Sequence, residues 1–197
     1  MNKSKESFIA PVVVLSCICL VVSLALAFTY KIANPIIIAN NEAVAVAARQ
    51  EILPSADSFT QVEDTEMQGS EDGKALVQEV YAADNGSGYV MTVETTSFGG
   101  ALTMMVGIDG EGAITGVKVT EHADTPGVGT KDQDPAYLAQ YSGLTALNNA
   151  ADIKKENADL ASGGTFAFIS GASVSGQAIH SGVAAALSQY AAMGGAQ

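Results

Sequence analysis

The sequence predicts an α+β protein in which an N-terminal transmembrane helix and a stalk helix precede an antiparallel sheet packed against helices. Three observations predict it. Phe8 to Tyr30 is apolar and carries no charge. Four strand-like runs follow between Ala75 and Glu121, separated by glycine-bearing turns. A serine-rich turn then opens a helix whose apolar residues recur at helical spacing.

The charge-free run comes first. As a helix it spans roughly 34 Å at 1.5 Å per residue, enough for a hydrocarbon core of ~30 Å. Ser16, Ser23 and Thr29 can bond back to helix carbonyls, and Pro11 sits in the first turn, where a missing N–H costs little. A signal-peptide core is shorter, about 7–15 residues, and no A-x-A-like cleavage site stands out. Residues 8–30 are therefore expected to stay in the lipid bilayer as an anchor. Lys3 and Lys5 precede the run and only Lys31 follows closely. This bias favours a cytoplasmic tail at 1–7 and an extracytoplasmic domain, giving a single-pass protein of the cell membrane.

Beyond Lys31, six of the nine basic residues face twenty of the twenty-one acidic ones. So acidic a surface excludes a nucleic-acid binder, which needs a basic face. Cys17 and Cys19 both lie in the apolar run, so the remainder has no thiol for a disulfide, a nucleophile or a cluster. His122 and His180 are the only histidines, and no metal site is expected.

Residues 31–74 read as stalk and linker. A second helix is expected to start at Asn34-Pro35 and to stop before Pro54, with Ile37, Val44, Ala48 and Ile52 in helical register. Ser55 to Gly73 is polar and acidic, as a surface loop is. The domain is expected over 75–197. Its strands are Ala75–Ala82, Tyr89–Thr96, Ala101–Ile108 and Ala113–Glu121, parted by Asp84-Asn85-Gly86, Phe98-Gly99-Gly100 and Asp109-Gly110-Glu111-Gly112. A helix is expected over Pro135–Leu147, with Tyr137, Leu138, Tyr141 and Leu144 inward. Asp152 to Gly164 is polar and irregular. A strand-like Thr165–Ile169 leads to Ser170-Gly171-Ala172-Ser173, and the closing helix buries Ile179, Val183, Leu187 and Tyr190.

Two segments carry chemistry. Ser170, Gly171, Ala172, Ser173 and Ser175 stand where a strand passes into a helix. A helix N-terminus offers free N–H groups and suits an anion such as phosphate, although serines also gather there simply as caps. His122, Asp124, Thr125, Pro126, Gly127, Val128 and Gly129 form the second segment. Pro126-Gly127 reads as a turn that presents Val128 between two glycines, as a wall for an aromatic ring or as part of a plain connector. His122 and Asp124 could pair as acid and base, but no third group completes a triad, so no catalytic residue is assigned.

Taken in order, GYVMTV, SFGGALTMMVGIDGEGAITGVKVTEHADTPGVGTK and GGTFAFISGASVSGQAIHSGVAAAL resemble the FMN-binding G subunit of the Rnf electron-transport complex. They are similar, more distantly, to the C subunit of the sodium-translocating NADH:quinone reductase. The anchor and TYKIANPIIIANNEAVAVAARQEILPSA resemble the same Rnf subunit, so the likeness covers nearly the whole chain. The resemblance implies an electron-transfer subunit of a ferredoxin:NAD oxidoreductase that couples electron flow to ion translocation. It would be a redox part of a translocase rather than an independent enzyme. It implies FMN as cofactor, joined by a phosphoester to Ser173 by a separate flavin transferase, and other membrane subunits as partners. Gly99 and Gly100 join both segments in the implied flavin-binding set. Two readings stand beside it: a stand-alone extracytoplasmic flavoprotein, and a flavin-free assembly module. The family pattern H-x-E-T-P-G-L-G appears with Asp124 and Val128 at its Glu and Leu. The pattern D-x-x-S/T-G-A-T appears with Ala167 for its aspartate and Ser173 for its usual threonine. If that aspartate activates the hydroxyl, Ala167 makes attachment inefficient.

Overall fold

A computed structural model of the chain describes residues 3–63, 65–147, 169 and 171–195. It divides into two compact units, Met1–Ala45 and Val46–Gln197. The first is helix throughout its described length. Helix α1 runs unbroken over Lys3–Ile52, so the separate stalk helix expected from Asn34-Pro35 is not formed. Pro35 removes one N–H from the ladder, and so does Pro11, which lies inside the helix and not in its first turn as expected, because α1 already starts at Lys3. Pro54 disfavours helical geometry for Leu53, and α1 stops at Ile52. Large apolar side chains from Val12 to Tyr30 stand half or more exposed. Ala10–Ile52 holds a stretch long and apolar enough to cross a membrane.

The second unit is built on a five-stranded antiparallel meander, paired strictly in chain order. Its strands are β1 (Phe59–Gln61), β2 (Ala75–Ala83), β3 (Gly88–Ser97), β4 (Gly100–Asp109) and β5 (Ile114–His122). The last four lie within one residue of the runs expected from alternation and turn residues. β1 adds a short strand inside the polar segment after Pro54, with Phe59 opposite Ala83. Met104, Val106 and Ile108 of β4 share the inner face with Val80 and Met91 and are all sealed from solvent.

Helix α3 (Ser173–Ala192) lies across β2, β3 and β4 on that face. Ile179 and Val183 are fully buried, and Gly182 sits on the Met104 thioether. Polar contacts fix its length. Ser181 donates to Asp72 at 2.7 Å, Gln189 accepts from the Gln68 amide at 2.7 Å, and the Tyr190 hydroxyl donates to the Gly110 carbonyl at 2.9 Å.

The opposite face receives the end of α1. Gly107 and Gly116 pair across β4 and β5 and leave a notch for Ile52. The Arg49 guanidinium lies 3.5 Å over the Tyr81 ring, and Glu51 pairs with Lys118.

The helix expected over Pro135–Leu147 is shorter. Helix α2 covers Pro135–Leu138, a 3-10 turn follows over Ala139–Tyr141, and Ser142 is already extended. Gly143 then adopts a positive φ of 81°. Its amide donates to the Ile114 carbonyl at 2.7 Å and the Leu144 carbonyl accepts from the Ile114 amide at 2.8 Å. Pairing with the start of β5 replaces further helix, while Tyr137, Leu138, Tyr141 and Leu144 are buried as their spacing predicts. The expected irregular stretch Asp152–Gly164 and most of the expected strand Thr165–Ile169, with Ala167, lie outside the described residues.

Candidate functional site

Three loops meet at one end of the sheet. The first is the tip of the β3–β4 hairpin, Ser97 to Gly100. A Cβ at Gly99 would lie 2.3 Å from the Ala123 carbonyl oxygen and 2.6 Å from the Asp124 nitrogen, so only glycine lets the two backbones touch. The Gly99 amide then donates to Asp124 Oδ1 at 2.8 Å, and the Ser97 hydroxyl donates to the same oxygen at 2.5 Å. Burial pushes the Asp124 carboxyl up. The Ser97 hydroxyl, the Gly99 amide, the Ser175 hydroxyl and the His122 charge together outweigh it and hold the group below the ordinary carboxylate range.

The second loop leaves β5. Gly127 has a φ of 76°, the Val128 amide donates to the Thr125 carbonyl at 3.2 Å, and the Gly127 amide donates to the Thr130 hydroxyl at 2.8 Å. This turn leaves Val128 half exposed. Gly129 anchors the loop: a Cβ there would press within 2.8 Å of Ser175 Oγ and 2.9 Å of Asp124 Cγ. Asp124 and the third loop therefore meet across a bare glycine.

The third loop opens α3. Gly171 has a φ of 89°, and the first helical bond runs from the Gly176 amide to the Ala172 carbonyl at 3.0 Å. The amides of Ser173, Val174 and Ser175 thus precede the helix's own ladder, and among the described residues none of them has a backbone acceptor, which leaves them to an external one. Ser173 is exposed and Ser175 is buried.

Between the loops lies a cavity of about 300 Å³. Asp124, Thr125, Val128 and Gly129 line one side, Gly171 to Ser175 another, and Phe98 a third. Both segments singled out in the sequence therefore line one cavity. Gly99 and Gly100 stand behind it as the turn that seats Asp124 and exposes Phe98. Pro126 and Gly127 shape the Val128 turn, and exposed His122 at the end of β5 acts on Asp124 through charge. Ser170 lies outside the described residues.

Two residues escaped the sequence reading. Phe98 is 78% exposed on the cavity rim. Turn chemistry explains the glycines after it but gives no reason for an aromatic there, and that was the available signal. Asp132, in the 3-10 turn Gly129–Gln133, is 1% exposed, which its polar surroundings in sequence conceal.

The cavity fits a flavin nucleotide on three counts. Free helix amides suit a phosphate, and exposed apolar side chains at Phe98 and Val128 suit a ring. The buried Asp124 Oδ2 lacks a hydrogen-bond partner among the described residues, leaving an acceptor for a ligand donor.

Residues 97–188 match the FMN-binding domain family. The chain is 30% identical over 182 residues to the G subunit of the Na(+)-translocating ferredoxin:NAD(+) oxidoreductase complex of Acetobacterium woodii, covering 86% of this chain and 85% of that one. It is 28% identical to the G subunit of the ion-translocating oxidoreductase complex of Stutzerimonas stutzeri, over 93% and 81%. The protein of that name from Methanosarcina acetivorans is 31% identical over 67% of each chain. Among solved structures, NqrC of Shewanella oneidensis aligns with 22% identity over 58% of this chain and 61% of that one, with a TM-score of 0.41.

Proposed function

Because the chain belongs to the family of G subunits of ion-translocating oxidoreductase complexes, we propose that it is the flavin-bearing relay of a membrane-bound Rnf-type ferredoxin:NAD oxidoreductase. The observation that carries this reading is the single cavity shared by the Asp124–Gly129 loop and the first turn of α3, inside the FMN-binding match. When bound, FMN supplies the one- and two-electron chemistry. The protein supplies place and environment. The exposed Ser173 hydroxyl is the attachment point for the phosphate, and the free amides of α3 neutralise part of its charge. Phe98 and Val128 give the ring apolar contact, and Asp124 holds the loop and offers its second oxygen as an acceptor. Among the described residues no lysine or arginine lines the cavity, so helix amides carry the anion.

The chain works among other membrane subunits, with residues 8–30 in the bilayer and the domain on the extracytoplasmic side. A flavin transferase makes the Ser173 ester, and Ala167 slows it. Intact-mass measurement of the full chain, expressed with and without a transferase, tests this reading. FMN mass should appear only with the transferase and vanish in Ser173→Ala, while Ser170→Ala and Ser175→Ala lower occupancy. Ala167→Asp should raise it. FMN mass retained in Ser173→Ala would overturn the site. A chain that stays colourless and binds no FMN would instead point to a flavin-free assembly module.

A further inference from the structure

We propose that Asp132 is the proton-exchanging partner of the phosphate seat: a solvent proton enters its carboxyl when an anion settles on the first turn of α3 and leaves when the anion departs. This rests on the reading that the flavin phosphate occupies that turn.

The geometry points there from the back of the cavity wall. Asp132 is sealed from solvent, and neither carboxylate oxygen has a hydrogen-bond partner among the described residues. A Cβ at Gly176 would lie 3.0 Å from Asp132 Oδ2 and 3.1 Å from the Tyr137 hydroxyl. The carboxyl therefore presses on the helix one residue past Ser175, which lines the cavity. An ionised carboxylate so placed gives up its hydration and recovers little of it. Burial accordingly pushes Asp132 up to about 6; the Gly176 amide, close by but donated to the Ala172 carbonyl, opposes this and the charge of Asp124 adds to it.

The surroundings decide which group takes the proton. Asp124 faces this region from the loop after β5, with the His122 charge acting on Asp124 from the end of that strand; Tyr137 faces it from α2, Tyr141 from the turn after it, and His180, in contact with Tyr141, from α3. Lys131 and Asp134 flank Asp132 in its own segment. Asp124 is held ionised by Ser97 and Gly99. Burial raises the Tyr137 and Tyr141 phenols, so both stay neutral. An incoming phosphate would put a third negative charge beside Asp124 and Asp132 at one helix end. Asp132 is the group poised to shed its charge, and the bound anion raises its proton affinity further.

The test uses the full-length chain in detergent, made without a transferase so that Ser173 stays free. Affinities for FMN and riboflavin are measured from pH 5 to pH 8 in the native chain and in Asp132→Asn. The second ionisation of the FMN phosphate falls near pH 6 and affects both chains alike, so the ratio of the two Kd values isolates Asp132. That ratio should be near one at pH 5. Above about pH 6 the native chain should weaken relative to the variant by up to tenfold per pH unit. Riboflavin, which lacks the phosphate, should show no such ratio. In the native chain at pH 7, FMN should also bring up the infrared band of a protonated carboxyl, absent from the variant; this serves if Asp132→Asn folds poorly. An FMN ratio independent of pH, or a dependence on Na+ or Mg2+ in its place, would overturn the inference and leave the phosphate seat standing. FMN binding no tighter than riboflavin at every pH would overturn both.

Discussion

At the scale of residues, the site depends on a few side chains that are exposed or charged where packing alone would not have them so. Val128 is half exposed at the tip of its turn. Glutamate there would lose hydration against an apolar ring, at a cost of about 1–3 kcal/mol. Val128→Glu should therefore weaken FMN binding by roughly five- to a hundredfold while the far-ultraviolet circular dichroism is unchanged. Unchanged flavin affinity would reduce the loop to a connector. Asp132 makes a second prediction, on stability of the flavin-free chain. Its folded-state value, about 6, lies above the unfolded 3.8, so the native state binds more protons between the two. Its contribution is full below about pH 4 and is lost as pH rises through 6. Asp124, held low, works in the opposite sense, losing stability as pH falls. Asp124 is present in both Asp132→Asn and the native chain, so its own pH dependence is largely common to the two. The variant should gain on the order of 2 kcal/mol relative to the native chain between pH 4 and pH 7, read from denaturant midpoints. The Asp124–Gly129 and Gly171–Ser175 segments were legible because glycine, proline and serine announce turns and helix starts. Phe98 and Asp132 were not, because exposure of one and burial of the other arise only when β3, β4 and α3 come together.

At the scale of elements, alternation and turn residues placed four strands to within a residue, since each strand buries one face and each hairpin needs its glycine. Where local pattern and tertiary pairing compete, pairing wins. The apolar spacing after Pro135 continues as a helix would, but Gly143 and Leu144 bond to Ile114 instead. The three residues of β1 are too few to show a period. The Gly107–Gly116 pair offers a test of how α1 ends. A Cβ at Gly107 would lie 2.5 Å from both Ile52 Cγ2 and Thr115 Oγ1, whereas one at Gly116 meets its nearest atom at 3.4 Å. Gly107→Ala should cost about 1–3 kcal/mol as overpacking does, and Gly116→Ala clearly less. Equal melting temperatures for the two variants would remove the notch as the reason for the glycines.

At the scale of the whole molecule, the charge-free run and the acidic remainder set the expected topology. Protease added to intact spheroplasts should digest the region from Ala75 onward, and full protection of it would overturn the orientation. The meander has a consequence in time as well as in space. Because β1 to β5 pair in the order they are synthesised, the sheet can assemble from neighbouring hairpins while α3 is still absent. Yet α3 brings Ser173 and one side of the cavity, and it packs only after the strands it lies across exist. A maturation enzyme that needs the closed cavity would pass over nascent, truncated or misassembled chains. Yellow colour would then be a stamp borne only by molecules that have finished folding.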